Sequence, residues 1–568
     1  MACTFIPKVF YETPLDGGYS EIQTAQNSLL SVINTAHYQT GFSIIVPTYQ
    51  PDLSLFKEMV ASVIGQRYTH WQLVIVDDAS QNAELTDYLD SLVEDTRISV
   101  IQRSENGHIS LSSNDGLAIA TGDYIVLLDH DDLLHCDALS AMAEAIDKNP
   151  KAKILYSDED KITHKGERAF PHFKPQWNRD LLYSLNYISH LGVYNRSLVE
   201  SVGGFRVGFE GSQDYDLLLR CIAKCGDEQI IHVPYVLYHW RAVEGSTAFS
   251  ESEKSYSCTA GLKALQDALA QQVESVEIGK LANTYKVNWP VPDDTPLVSI
   301  IIPTKNAKKL VKQCINSIYK KTLYPKFEIL LVDNQSDDLA SLDYFKGLEA
   351  EGKIRLISYD KSFNYSAINN FAVTQANGDL IVLMNNDIEI ISDTWLTDMV
   401  ANISRPDIGC VGAKLYYPDG KLQHGGVITG LGGVAGHSHK YFPKSHPGYF
   451  KRLQVVQNLS AVTVACLAVR KDVFEEVGGL NEKYLTIAFN DVDFCLKVKQ
   501  AGYRNLWSPY IEMVHHESIS RGTENTPEKQ ARFASEVEYM KKTWSKALLN
   551  DPCYSEWLTL DREDFTLR

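Results

Sequence analysis

Short, continuous apolar runs alternate with longer amphipathic stretches along most of the chain. SIIVP (43–47), LVIVD (73–77) and YIVLLD (124–129) are apolar at successive positions and rich in β-branched residues. That pattern suits strands buried on both faces of a sheet. Residues 53–65 and 137–148 carry apolar positions at helical spacing. Strands alternating with helices of this kind predict an α/β fold with a mostly parallel sheet. Each strand ends in polar residues, at the edge where open α/β sheets bind ligands.

The pattern occurs twice. FSIIVPTYQ (42–50) returns as VSIIIPTKN (298–306), LVIVDDAS (73–80) as ILLVDNQS (329–336), and TGDYIVLLDHDD (121–132) as NGDLIVLMNNDI (377–388). Pro47 and Pro303, Asp77 and Asp333, and Gly122 and Gly378 are separated by one constant interval. GGFRVGFEGSQDYDLLLR (203–220) then matches GGLNEKYLTIAFNDVDFCLK (478–497), where the Asp214–Asp491 interval is longer. A constant interval that later grows identifies two copies of one domain, the second carrying an insertion. The predicted organisation is an extension over 1–40, domain 1 over 41–288, a Pro- and Asp-rich linker over 289–297, domain 2 over 298–522, and a helical tail over 523–568. The tail aligns Phe533, Val537, Met540, Trp544 and Leu548 on one face, as in a helix docked on a core.

Composition removes several classes. Gly and Pro, 34 and 20 of 568 residues, are too few for a collagenous or low-complexity chain. A net charge of −18 gives no global field for phosphate and excludes a general nucleic-acid binder. The ten cysteines are scattered without a CxxC pair, so a reducing, cytoplasmic setting is expected. The N-terminal residues lack the pattern of a signal peptide. Runs such as 380–384 fall far short of the ~18–20 apolar residues that span a bilayer, so any inner-membrane association is expected to be peripheral, on the cytoplasmic face.

Chemistry concentrates in a few places. Asp129, His130, Asp131 and Asp132 follow the YIVLL strand. Carboxylates this close repel unless a cation compensates them, and hard oxygen ligands suit Mg²⁺ or Mn²⁺ bridging a diphosphate; an Asp-rich turn capping the next helix is the plainer reading. Asp77 and Asp78 end the second strand, and Asp333 repeats the position. Asp214 and Asp491 open amphipathic helices, as partners of the helix dipole or as general bases. His239 in VLYHWR and His515 in MVHHES follow the acidic motif in both copies, which makes them candidate metal ligands.

PTY (47–49), VDD (76–78), LDHDD (128–132), the QD of SQDYDL and LYHWR resemble the inverting family 2 glycosyltransferases of the GT-A fold. PTKN, VDNQS, FNYSAINN (363–370), NND (385–387), ND (490–491) and HHESISRG (515–522) carry the same resemblance in the second copy. YSDEDKI, FKPQWNRDLL and NYISH, within 156–190, resemble bacterial two-domain transferases that build O-antigen or related surface polysaccharides. The resemblance covers roughly residues 41–525 and implies two tandem GT-A (Rossmann-like) domains. It also implies a nucleotide-diphosphate sugar donor (uridine or thymidine), a lipid-linked or oligosaccharide acceptor, and a divalent cation, Mn²⁺ or Mg²⁺. By this resemblance Pro47, Thr48, Tyr49, Asp77, Asp78 and Asp129, with Pro303, Thr304, Asp333 and Asn385, contact the donor. Asp131 with His239, and Asp387 with His515, hold the metal. Asp214 and Asp491 take the acceptor proton.

The sequence departs from the family pattern at Gln213 and Asn490, which stand where an acidic residue precedes the base. Asn385 and Asn386 replace Asp129 and His130. Trp177, His190, Gln213, Trp240, His424 and Asn490 are candidate acceptor contacts. GGVITGLGGVAGHSH (425–439) reads as a flexible acceptor-side loop. A bifunctional enzyme, one catalytic copy beside an acceptor-binding platform, and a non-catalytic carbohydrate-binding protein all remain open at this point.

Overall fold

Apolar runs such as FSIIVPT and VSIIIPT become central strands because both of their faces are covered. In the computed structural model, which describes residues 18–241, 251–516 and 526–568, each half of the chain is a twisted sheet with apolar residues buried on both sides. The first half contributes β1 (Phe42–Thr48), β2 (Trp71–Asp77), β3 (Ile98–Gln102), β4 (Tyr124–Leu127), β5 (Leu133–Leu134), β6 (Ile154–Ile162), β7 (Arg168–His172), β8 (Gly192–Asn195) and β9 (Ile230–Arg241). Their order is β3-β2-β1-β4-β8-β6-β9-β5, with β7 on β6. A hairpin, β10 (Ser275–Ile278) and β11 (Tyr285–Asn288), closes this half.

The second half repeats the plan. Its strands are β12 (Val298–Thr304), β13 (Phe327–Asp333), β14 (Arg355–Ser358), β15 (Leu380–Met384), β16 (Ile388–Ile390), β17 (Ile408–Tyr416), β18 (Leu422–His424), β19 (Val427–Thr429), β20 (Ala435–His437), β21 (Gln457–Leu459), β22 (Cys466–Arg470) and β23 (Arg504–His515). The order β14-β13-β12-β15-β22-β17-β23-β16 matches the first sheet position for position. Register matches too: Thr48 lies opposite Asp77 and Thr304 opposite Asp333. The sheets are mixed rather than mostly parallel, because β8 and β22 run antiparallel to both neighbours. Gly122 and Gly378 recur for a steric reason. A Cβ on Gly122 would stand 2.6 Å from the Phe42 carbonyl carbon, and one on Gly378 would stand 2.5 Å from the Leu297 oxygen.

Within the N-terminal extension, the helix Tyr19–Ser31 buries Tyr19, Ile22, Gln26 and Leu30 against the first half. The tail is helical over Pro527–Thr543 and Ser545–Leu549 and irregular beyond. Met540, Trp544 and Leu548 are buried, whereas Phe533 is largely exposed and meets Phe489. The irregular segment bridges the halves: the Pro552 carbonyl accepts from Gln176 N at 2.8 Å, and Trp557 Nε1 donates to the Pro234 carbonyl at 2.8 Å. The glycine-rich stretch is its seat, not a flexible loop. Residues 422–431 are buried, β19 pairs with β20, and Thr429 N donates to Asp551 at 2.7 Å. The halves also meet directly, through Asn178 Nδ2 to the Asn458 carbonyl at 2.8 Å and Asn458 N to Asn178 Oδ1 at 3.0 Å. The N-terminal residues 1–17 and residues 517–522 of the HHESISRG motif lie outside the described residues.

Candidate active site

The first loop of each half is locked in the same way. Asp77 accepts from the Ser80 hydroxyl and from Ser80 N, and Ser80 Oγ accepts from Gln50 N at 2.8 Å. Asp333, Ser336 and Asn306 repeat the arrangement, with Asn306 N to Ser336 Oγ at 2.6 Å. These bonds hold the chain after Pro47–Thr48 and Pro303–Thr304 against the end of the next strand. Tyr49 is left exposed at the sheet edge. Asp78 points elsewhere than expected: Arg103 Nε and Gly107 N both hold its Oδ1, each at 2.9 Å. Asn334 has the corresponding role, donating to the Tyr359 and Lys361 carbonyls at 3.0 and 2.8 Å.

In the second half, β15 ends and β16 begins around Asn385, Asn386 and Asp387, and β16 pairs Ile388 with His515. His515 Nε2 lies 3.1 Å from Asp387 Oδ1 and 3.3 Å from Asn385 Nδ2. His515 Nδ1 lies 2.7 Å from Gln423 Oε1, an oxygen that can only accept, so the ring proton sits on Nδ1. Nε2 faces the Asp387 carboxylate, and in the neutral ring it presents its lone pair there. An imidazole whose far N–H is given to a carbonyl-type oxygen, facing a carboxylate, is the donor set of a divalent-cation site. Tyr365 donates to Asn385 Oδ1 at 3.1 Å, and Asn386 Nδ2 to Thr304 Oγ1 at 2.9 Å.

The first half differs. Strand β9 pairs Leu133 with His239, so Asp132 falls opposite Trp240. Trp240 therefore occupies the register position of His515. Successive strand residues face opposite ways: Tyr238 and Trp240 both meet His190, at ring separations of 4.5 and 5.7 Å, while His239 Nδ1 bonds Asp160 at 2.6 Å. The expected pairing of Asp131 with His239 is not formed. His190 Nε2 instead stands 4.0 Å from Asp129 Oδ2, and ligand atoms of Asp129, Asp132 and His190 lie within 4.8 Å of one another. Asp132 accepts from the Tyr238 hydroxyl at 2.6 Å and Arg241 N at 2.7 Å. Burial pushes the Asp131 and Asp132 carboxyls up, Asp132 strongly, with repulsion among the neighbouring carboxylates adding to it.

Two acidic residues open each candidate base helix, and their environments separate them. Asp216 is buried and held by Arg206 and Arg220; Asp493 is buried and bonded by Trp544 Nε1 at 2.8 Å. Those carboxylates fasten the helices Gln213–Ile222 and Asn490–Gln500. Asp214 and Asp491 are half-buried. Asn186 Nδ2 donates to Asp214 at 2.8 Å, and Val492 N to Asp491 at 2.9 Å. Burial raises both carboxyls; the His190 imidazole opposes it at Asp214, and hydrogen bonds from Val492 N, Thr463 and Val464 oppose it at Asp491.

Several acceptor candidates are otherwise engaged. Gln213 Oε1 accepts from Gly211 N at 2.8 Å, and Asn490 Nδ2 donates to the Ile487 carbonyl at 3.1 Å. Trp177 lines a cavity of about 480 Å³ between the halves and the tail, with Tyr503 and Tyr554. His424 is fully buried behind His515 and shares a proton with His437, Nδ1 to Nδ1 at 2.7 Å; burial and the neighbouring imidazoles hold it well below the usual histidine range. Gln423 escaped the sequence reading, because it stands among polar and glycine residues, between Leu422 and His424, where no pattern marks it.

The family model for "Glycosyl transferase family 2" matches residues 43–203 and 299–478. A protein of Sinorhizobium fredii, y4gI, is 48% identical over 98% of this chain and 62% of its own length. The O-antigen biosynthesis protein RfbC of Myxococcus xanthus is 36% identical over 93% of this chain and 41% of its own length. The chain thus spans less than two thirds of the length of both curated relatives. Among solved structures, S. aureus TarS 1–349 in complex with UDP-GlcNAc is 19% identical with a TM-score of 0.34, covering 41% of this chain and 67% of that one. The mannosyltransferase PcManGT of Pyrobaculum calidifontis, in complex with GDP-Man and Mn²⁺, is 18% identical with a TM-score of 0.33, covering 46% and 68%.

Proposed function

We propose, from the premise that this chain belongs to glycosyl transferase family 2, that each of its two GT-A-like α/β domains is an inverting glycosyltransferase site. The observation that carries the reading is the sorting of the paired aspartates: Asp216 and Asp493 are consumed by the fold, while Asp214 and Asp491 are left half-buried at the helix starts, Asp214 within the field of the Asp129 carboxylate. The family match ends before both bases, at residues 203 and 478, so their assignment rests on this geometry.

In each half the donor nucleotide lies across the sheet edge, over the loop that Asp77 or Asp333 locks. Tyr49, Asp129 and Asn385 reach towards it. A divalent cation, Mn²⁺ or Mg²⁺, held by Asp387 and His515 in the second half, would offset charge developing on the departing diphosphate. Asp214 or Asp491 accepts the proton of an acceptor hydroxyl as its oxygen attacks the anomeric carbon, and the carbon inverts in that single displacement. A positioned carboxylate contributes about 10²–10⁴ in rate, and burial that raises its basicity assists it. No covalent glycosyl-enzyme is required.

The donors are UDP- or dTDP-hexoses, and the acceptor is a growing bacterial surface glycan, oligosaccharide or lipid-linked, as the relationship to an O-antigen biosynthesis protein supports. Among the described residues no helix is long and apolar enough to cross a membrane; a cytoplasmic location with peripheral contact at the inner membrane accords with that acceptor. A second reading, in which the second half serves only as an acceptor platform, is favoured by Asn385 and Asn386 in place of Asp129 and His130. The test is release of nucleoside diphosphate from a panel of nucleotide sugars with oligosaccharide acceptors present. Turnover of at least one donor, lost in the Asp214→Asn, Asp491→Asn double variant, is expected; no turnover of any donor, or turnover indifferent to both substitutions, overturns the reading.

A further inference from the structure

The two halves superpose in strand order and register, yet their histidines do not. In the second half the imidazole beside the strand-end cluster comes from β23, as His515. In the first half the same register position is Trp240. The pairing of β8 with β4 puts Asn195 where β22 puts Arg470. Counting back along each strand, His190 stands where the second half has Ala465. One half has histidine before β8 and tryptophan on β9; the other has alanine before β22 and histidine on β23.

We infer that His190, with Asp129 and the Asp132 carboxylate behind them, is the divalent-cation site of the first half, replacing from a different strand the ligand that His515 supplies in the second. The inference rests on the glycosyltransferase reading of both halves. His190 Nε2 and Asp129 Oδ2 are 4.0 Å apart, a span one ion can bridge with bonds of about 2.1–2.2 Å. The ring is fixed for the task. It stacks on Tyr238 at 4.5 Å with an interplanar angle of 11° and meets Trp240 edge-on. Its backbone is anchored by His190 N to Glu159 Oε2 at 3.2 Å and by the Lys174 ammonium on its carbonyl. Tyr238 also donates to Asp132, so one tyrosine orders both the ring and the rear carboxylate. Tryptophan at 240 is then the wall that holds His190, and a histidine there would be redundant. His239 belongs to a buried cluster on the opposite face, where Asp160 also takes Arg168 Nε at 2.6 Å and the Tyr19 hydroxyl. Nitrogen and carboxylate donors together suit Mn²⁺.

The test counts ions rather than turnover. Mn²⁺ is titrated into the full chain, with and without UDP, and the free-ion electron paramagnetic resonance signal gives the number bound. The wild type binds two. His190→Ala and, independently, Asp129→Asn on its exposed side chain each weaken one site by more than about tenfold. His515→Ala weakens the other, and His239→Gln leaves both. The double variant His190→Ala, Trp240→His moves the ring to the register position of His515 and restores the second ion, a rescue that loss of folding could not produce. If His239→Gln removes an ion and His190→Ala does not, the inference falls while the glycosyltransferase reading stands. A wild type that binds a single ion, lost only in His515→Ala, overturns it equally. A wild type that binds none removes the cation from both halves.

Discussion

Asp180 is the residue whose loss should separate the two halves most sharply. It sits at the start of the helix Arg179–Ser184 in the first half, 3% exposed, and all its strong partners belong to the second. Arg405 Nη1 donates to it at 2.6 Å and Asn458 Nδ2 at 2.7 Å, and Arg504 pairs with the same carboxylate. Burial alone would raise its pKa, but the Arg405 and Arg504 guanidiniums hold the carboxyl well below the usual carboxylate range. Removing one partner of a buried ion pair leaves the others uncompensated and costs about 3–5 kcal/mol. Arg405 keeps its place over Trp289 at 4.0 Å and Arg504 keeps Asp407, so the lower end applies to Asp180→Ala. Asp180→Asn keeps the shape and sheds the charge, at about 1.5–3 kcal/mol. At about 2 °C per kcal/mol for domains of this size, Asp180→Ala lowers the calorimetric melting temperature by about 6 °C. The folded pKa is depressed, so the stabilisation is complete above the unfolded value of about 3.9 and is lost as pH falls below it. The gap between wild type and variant is therefore full at pH 7 and shrinks from about pH 4 downwards. A variant that melts within a degree of wild type at pH 7, or a gap that widens in acid, refutes the reasoning.

Three further outcomes follow from local geometry. Gln423→Ala frees the His515 tautomer and lowers Mn²⁺ affinity of the second half by about 10–100-fold in isothermal titration; an unchanged affinity contradicts the ring assignment. Gly430 has φ +90°, and a Cβ there would lie 2.6 Å from the Leu548 carbonyl oxygen. Gly430→Ala therefore loosens the tail by more than about 1 kcal/mol, read as faster proteolysis of the C-terminal segment, and wild-type resistance contradicts the docking. Burial raises Asp491, and a general base works only when ionised. The acid limb of kcat/KM for the linkage made by the second half therefore lies above the ordinary aspartate value of about 3.9, and a limb at or below that value contradicts the burial argument.

The repeat was legible because both copies keep their strand-end motifs at one spacing, and spacing fixes strand order and register. Asp77, Asp129, Asp214 and their counterparts stand at the ends of matching elements for that reason. The histidines were not legible. Matching HW to HH by identity pairs His239 with His515, but the β5–β9 register displaces the match by one residue, and a shift of one in a strand turns every side chain to the other face. Trp177 reads as an acceptor contact because an aromatic ring in a variable loop can stack on a sugar face; it lines the cavity between the halves, a place set by how two domains and a tail pack. The glycine-rich stretch 425–439 looked mobile for want of side chains. Its glycines instead admit close backbone contact, as at Gly430 against Leu548. The abrupt switch from parallel to antiparallel pairing at β8 and β22 also left no mark in strand pattern, since both strands are buried at all but their last residue, without the alternation of a half-exposed strand.

Linkage analysis by NMR of the products made by Asp214→Asn and Asp491→Asn, each offered the full donor set, addresses the central claim without intermediaries. If two working transferase sites share this polypeptide, each variant loses one glycosidic bond type and retains the other. A product from Asp491→Asn indistinguishable from that of the unaltered enzyme would leave one catalytic half and reduce its twin to a scaffold.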